Sequence, residues 1–146
     1  MQRKKKSILI TGCSSGIGFE TAKYLSKNSW DVIASCRQKV DVKKIRNLGI
    51  TCFHLDYHSE KSIDLALDKT LSVTNGKLDA IFNNGAFALP GAMEDIPSEA
   101  MKEIFQANFF GWHYFTKKVI PIMRNQGYGK ILQCSSILGF ITLSYR

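Results

Sequence analysis

Short apolar runs alternate with amphipathic stretches along almost the whole chain. Ser7–Thr11 (Ser-Ile-Leu-Ile-Thr) has the length and β-branching of a strand buried on both faces, and Gly12 closes it. Ile17, Thr21, Ala22 and Leu25 then recur at helical spacing up to Lys27, with Asn28 as the stop. A second strand is predicted at Asp31–Cys36, a short basic helix at Val42–Leu48 ended by Gly49, and a third strand at Ile50–Leu55. Ser59–Val73 predicts a helix with Ile63, Leu65, Ala66, Leu67 and Leu71 on its apolar side, stopped by Asn75-Gly76. Leu78–Phe82 reads as a fourth strand and Gly85–Pro97 as a loop, after which Ser98 is placed to cap a helix. From Glu99 to Arg124, Met101, Ile104, Phe105, Asn108, Trp112, Phe115, Val119 and Met123 fall at i, i+3, i+4 and i+7 intervals. This predicts one long amphipathic helix or two in line. Gly127 and Gly129 end it, and Lys130–Cys134 is the fifth strand.

Strands separated by helices, with no tight hairpin between them, give a parallel sheet, because parallel neighbours need crossovers and these are almost always right-handed. The expectation is a doubly wound α/β fold with helices on both faces. At 146 residues and without internal repeats the chain fits one domain.

A 45% hydrophobic share supplies a core and excludes a disordered chain. Runs such as Ile8–Ile10 are interrupted far short of the ~20 apolar residues that a spanning helix needs. The basic start Arg3–Lys6 has the charge of a signal peptide, but Gly12, Ser14, Ser15 and Gly16 break up the apolar region that should follow. The chain is therefore read as cytoplasmic, with no membrane partner. The formal charge of +8 lies in the first third: residues 1–46 hold eleven Lys and Arg against Glu20, Asp31 and Asp41, while residues 47–146 hold nine of each sign. No aromatic-interleaved basic stripe accompanies it, so no nucleic-acid partner is expected. Cys13, Cys36, Cys52 and Cys134 form no C-x-x-C pair and no ligand spacing with His54, His58 or His113. They are read as reduced and structural, with no metal site.

The chemistry starts where the first strand meets the first helix, at Thr11-Gly12-Cys13-Ser14-Ser15-Gly16-Ile17-Gly18. Glycines at 12, 16 and 18 permit a tight turn, let a pyrophosphate approach the backbone and leave a helix N-terminus aimed at an anion. The spacing is G-x-x-x-G-x-G, not the general G-x-G-x-x-G. Asp56 follows the third strand, Asn83-Asn84-Gly85-Ala86 the fourth and Ser135-Ser136 the fifth, while Asn108 lies within the long helix.

This set, in this order, resembles the short-chain dehydrogenase/reductase family, whose cofactor loop is Thr-Gly-x-x-x-Gly-Ile-Gly. The resemblance covers nearly the whole chain and has one departure, since the family usually has Asn-Asn-Ala-Gly where this chain has Gly85-Ala86 last. It implies a Rossmann-type sheet and an NAD(P)-binding domain over residues 1–146, incomplete at its C-terminal end. Gly12, Ser14, Ser15, Gly16, Ile17 and Gly18 would bind the cofactor, Asp56 would accept from the adenine amino group, and Asn83 would tie the central strands together. Asn84, Gly85 and Ala86 would line the adenosine side. For catalysis the resemblance implies that Ser136 orients the reacting carbonyl or hydroxyl, and that Asn108 kinks its helix and holds a relay water.

Cofactor choice rests on the end of the second strand. NAD-specific folds place an acid there for the ribose hydroxyls, whereas a 2′-phosphate calls for Arg. Ala34–Lys39 contains no acid, and Arg37, with Lys39 close by, can fork onto phosphate, so NADP is expected over NAD. Family members also use a Tyr with a Lys four residues later, about a dozen residues beyond the Ser. Only Ile137–Arg146 follow Ser136, and Tyr145, with no room for that Lys, is read as a loop aromatic. The expectation is the truncated first half of an NADP-dependent oxidoreductase acting on a small carbonyl or alcohol, inactive by itself. The alternative is a non-catalytic module for a nucleotide or a partner chain. Phe87, Leu89, Met93, Leu138 and Phe140 would make the substrate border apolar, and the fifth strand would be an unpaired edge that favours homo-oligomers.

Overall fold

The computed structural model describes residues 5–144, so Arg3, Lys4 and Tyr145 lie outside the described residues. Five parallel strands, β1 (Lys6–Ile10), β2 (Trp30–Cys36), β3 (Thr51–His54), β4 (Ala80–Asn83) and β5 (Lys130–Gln133), form one sheet in the order β3-β2-β1-β4-β5. They are linked by α1 (Gly16–Lys27), α2 (Lys39–Asn47), α3 (Glu60–Val73), α4 (Ser98–Phe105) and α5 (Gly111–Gln126). The doubly wound α/β fold is as expected. Strand order reverses between β1 and β4, which opens a crevice beyond the carboxyl ends of those strands, where ligands of such sheets bind.

Side chains alternate across the pleat, and each set has its own helices. Ile8 and Ile10 join Val32, Ala34, Cys52 and Ala80 on one face, under Ala22 of α1 and Val42 and Ile45 of α2. Leu9 joins Ile33 and Ile81 on the other, under Ile63 and Leu67 of α3 and Phe115 and Val119 of α5. Both faces of β1 are covered, which is why its sequence reads as an unbroken apolar run.

Four expectations need correcting. Ile17 is 64% exposed, because the buried stripe of α1 runs through Gly18 and Ala22 and turns the preceding residue about 100° away. Leu65 and Phe105 are exposed for the same reason, one step off the stripes through Ile63, Ala66 and Leu67 and through Ala107, Gly111 and Phe115. Ser98 belongs to the first turn of α4, and Pro97 stands at the cap position without a side-chain hydrogen bond. Of the two readings for the run from Ser98 to Gln126, the structure has two contiguous helices, joined at Gln106–Phe110 by a π-helical turn. Ser59 does cap α3, its side chain accepting from Ser62 N. No described helix is long and apolar enough to cross a membrane.

Candidate functional site

The loop after β1 is shaped by glycines that serve different ends. Gly12 has φ +67°, and a Cβ there would stand 2.5 Å from Gly85 Cα, so the two backbones touch. A Cβ on Gly18 would stand 2.5 Å from Asn84 Nδ2 and 2.6 Å from Gly12 O, so this glycine seats α1 against the loop. Gly16 has open space around it, and its requirement is the left-handed φ of +59°. Ser14, Ser15 and Ile17 are exposed on the rim; Ser15 is the cap residue of α1 but makes no side-chain cap bond. The first turn of α1 holds no acid, so its N–H groups present an uncompensated positive dipole end.

Thr11 fastens the loop to β4. Its N–H donates to Phe82 O at 3.0 Å, and its Oγ1 accepts from Asn84 N at 2.9 Å and Gly85 N at 3.1 Å. Asn83 is fully buried at the end of β4, where its Nδ2 donates to Thr116 Oγ1 at 3.1 Å and Gln133 Oε1 at 3.0 Å. It therefore joins β4, β5 and α5.

Two clefts open at this end of the sheet. The first, of about 140 Å³, is lined by Thr11, Gly12, Ser14, Arg37, Asp56, Gly85 and Ala86 together with Leu55, Tyr57, His58, Phe87 and Ala107. Burial alone would raise the Asp56 carboxyl. Hydrogen bonds from the His58 N–H and ring, with the charges of His58 and Arg37, outweigh it and hold the carboxyl below its ordinary value. His58 Nδ1 lies 3.1 Å from Asp56 Oδ1, and the His58 ring stacks toward Phe87 with centroids 6.4 Å apart.

The second cleft, of about 540 Å³, shares Ala86 and Phe87 with the first and adds Asn84, Leu89, Ile104, Asn108, Trp112, Cys134, Ser135, Ser136 and Leu138. The π turn carries Asn108, whose Nδ2 donates to Phe87 O at 2.7 Å and whose Oδ1 accepts from Phe87 N at 3.1 Å. Trp112 Nε1 donates to Gly85 O at 2.8 Å. Ser136 Oγ accepts from Leu138 N at 3.1 Å, capping a short 3₁₀ turn at Ile137–Gly139, and its O–H is left to donate. Of the apolar border residues, Phe87, Leu89 and Leu138 line this cleft, whereas Met93 and Phe140 are turned to solvent on short irregular segments, Phe140 being 91% exposed.

The structure thus gathers the anticipated residues into two adjoining clefts, with Asn84 and Ala86 on the second as well as beside the first. Gly18 and Asn83 lie behind the walls, and Ser15, Gly16 and Ile17 stand outside them. The sequence motifs do not reach Tyr57, His58 or Trp112. Helical spacing puts Trp112 in the core, and its i+4 distance from Asn108 is the signal that could have placed it in the site.

The Tyr-x-x-x-Lys spacing does occur upstream of Ser136, twice. Tyr57 is buried with its hydroxyl turned inward, and Lys61 is exposed. Tyr114 and Lys118 both bond to Asp64 of α3, and neither lines a cleft. Burial pushes the Cys13 thiol up to about 12, and Cys52 is raised by its contact with Cys36 and then by burial. These are thiols held as small core residues.

Comparison with known proteins decides the family. The family model described as short chain dehydrogenase matches residues 6–145. The chain belongs to the short-chain dehydrogenase family. It is 41% identical over 138 residues to the uncharacterized oxidoreductase YbbO of Escherichia coli K12, covering 94% of this chain and 51% of that protein. Human retinol dehydrogenase 8 is 33% identical over 149 residues, covering 95% of this chain and 47% of that one. The solved structure of ElxO with NADP bound superposes with a TM-score of 0.87 at 27% identity, covering 97% of this chain and 59% of that chain. This short-chain dehydrogenase chain spans about half the length of the relatives it matches.

Proposed function

We propose that this chain is the cofactor-binding domain of an NADP(H)-dependent oxidoreductase, which moves a hydride between nicotinamide and a carbonyl or alcohol substrate. The carrying observation is the first cleft, where Gly12 meets Gly85 and Arg37 stands just past β2 with no carboxylate from Ala34 to Lys39. Glycine at 12 and 18 lets the loop close on Gly85 and Asn84 with the N-terminus of α1 facing the cleft, and this arrangement fits a nucleotide phosphate. Gly12, Ser14, Ser15, Gly16, Ile17 and Gly18 would hold the pyrophosphate. Arg37 would take the 2′-phosphate, Asp56 the adenine amino group, and Asn84, Gly85 and Ala86 the adenosine side. When bound, NADP supplies or accepts the hydride. Ser136 would donate its free O–H to the substrate oxygen. Asn108 engages Phe87 with its oxygen and one N–H, which leaves the second N–H for a relay water.

The apolar lining of the second cleft, with Phe87, Leu89, Ile104, Trp112 and Leu138, suits an apolar substrate, and the human relative is named for retinol. No Tyr and Lys pair stands beside Ser136 among the described residues. Proton transfer by such a pair contributes ~10²–10⁴-fold, so residues 1–146 alone bind nucleotide without turnover. That one observation also favours the reading of a nucleotide-binding module. Four free cysteines suit a reducing compartment, and we assign the cytoplasm. Exposed Ile131 and Leu132 on the edge strand β5 favour self-association.

Fluorescence titration with NADPH and NADH tests the reading. NADPH binds more tightly, and Arg37→Ala removes most of the difference, on the order of 1.5–3 kcal/mol for a charge-assisted contact. Equal affinities in a folded parent overturn the cofactor choice. NADPH oxidation with aldehydes and ketones, by protein shown by intact mass to end at Arg146, overturns the inactivity.

A further inference from the structure

We propose that Tyr57 is a positioning residue of the glycine loop, and that its ring, with the Gly12 backbone opposite, sets the preference for glycine at position 85. This rests on reading the first cleft as the nucleotide site. Tyr57 directly follows Asp56 beyond β3 and is 6% exposed. Its hydroxyl lies 2.7 Å from Asn83 Oδ1 and 2.9 Å from Thr11 Oγ1. A carboxamide oxygen only accepts, so the single phenolic proton goes to Asn83. The hydroxyl thereby connects the end of β3 to the ends of β1 and β4, the two strands between which the crevice opens.

The ring is held as closely as the hydroxyl. A Cβ on Gly111 would stand 2.6 Å from both Tyr57 Cβ and Tyr57 O, so the π turn and α5 can seat against Tyr57 only with glycine there. A Cβ on Gly85 would stand 3.3 Å from Tyr57 Cε2 on one side, and 3.1 and 3.3 Å from Gly12 N and Cα on the other. Gln106 Nε2 donates to Tyr57 O at 3.3 Å, and the Trp112 ring lies 6.3 Å from the Tyr57 ring while its N–H holds Gly85 O. Residue 85 is thus clamped between an aromatic ring, itself fixed by two hydrogen-bonding contacts and two neighbouring segments, and the backbone on which a pyrophosphate would rest. A methyl group at 85 needs a few tenths of an ångström of give from one side or the other, and the ring, held through its hydroxyl and packed against Gly111, resists giving it.

This accounts for the departure from the family's usual Asn-Asn-Ala-Gly. With Tyr at 57 the glycine belongs at 85, directly over the ring, and the alanine moves to 86, which is exposed. The two positions are one unit: a smaller residue at 57 would release the constraint on 85.

The test uses the parent chain, Tyr57→Val, Gly85→Ala and the double variant, each measured for apo thermal midpoint and for NADPH dissociation constant well below that midpoint. Gly85→Ala in the parent weakens NADPH at least tenfold and lowers the midpoint by several degrees. Added to Tyr57→Val, the same change weakens binding less than twofold. Equal penalties in both backgrounds overturn the proposal. If the folded parent binds no NADPH, the cofactor reading fails, and the cycle of apo midpoints alone still decides whether 57 and 85 are coupled. Should Tyr57→Val not fold, Tyr57→Phe keeps the ring and removes the hydroxyl. It is expected to shift the backbone amide resonances of Asn84 and Gly85 and to weaken NADPH at least threefold, while unchanged resonances and affinity overturn the positioning role.

Discussion

Leu9 on β1 is fully buried, whereas Leu132 on β5, two strands away in the same sheet, is 46% exposed. β1 has a neighbour on each side and helices over both faces, and every residue from Ser7 to Ile10 is buried. β5 is an edge strand whose four residues are all exposed, and the segment after it, including Ser136 and Phe140, is exposed as well. The difference divides the candidate site. The first cleft is built from backbones in contact, tied by Thr11, Tyr57 and Asn83. The second is walled on one side by Asn108, Trp112 and the π turn, and on the other by a surface segment. Preorganisation of this kind favours binding where it exists, because ordering then costs little.

Core truncation should break the comparison most visibly. Phe115 is fully buried over β1 and β4, and Phe115→Ala should cost ~3–5 kcal/mol in urea unfolding. Leu132→Ala should cost less, ~1–1.5 kcal/mol, since only about half of its surface is removed from water. Similar losses at both sites would mean that the two sides of the sheet are equally packed.

A smaller effect separates loop from core. Gly18→Val places a side chain against Asn84 and Gly12 O, and at least a tenfold loss of NADPH affinity, about 1.4 kcal/mol, is expected in a chain that still folds. Unchanged affinity would make this loop an ordinary turn.

The smallest effect concerns pH. The folded-state pKa of Asp56 is depressed, so its contribution to stability is present above the unfolded value and lost as pH falls through the folded one. His58→Ala keeps the backbone N–H bond to the carboxylate and removes the ring's hydrogen bond and charge. The carboxyl resonance of Asp56 should then titrate at higher pH, and the acid-side loss of stability should begin at higher pH. An unmoved titration would show that the backbone N–H of residue 58 and Arg37 suffice to hold the carboxyl down, with no part for the ring.

Much of this architecture is legible in the sequence, because it depends on local patterns. The five strands fall within two residues of their predicted ends, and the glycine loop is readable since its needs, a positive φ and close backbone approach, are met by one residue type. What is not legible depends on distance. Tyr57 meets Thr11 and Asn83 from 46 and 26 residues away, and nothing in the hydropathy around position 57 records those partners. Met93 and Phe140 mislead because an apolar residue signals a wish to be covered, not the presence of a cover. The Tyr-x-x-x-Lys spacing at Tyr57 and Tyr114 shows the converse, a pattern without its place in the fold.

Calorimetric titration of residues 1–146 with the two halves of NADP separately, adenosine 2′,5′-bisphosphate and nicotinamide mononucleotide, tests the central claim most directly. The account predicts that the adenosine half binds within about tenfold of NADPH, whose affinity then owes under about 1.4 kcal/mol to the rest of the molecule, and that nicotinamide mononucleotide gives no measurable heat. Binding of nicotinamide mononucleotide, with none of the adenosine half, by a chain shown by its amide spectrum to be folded would contradict it.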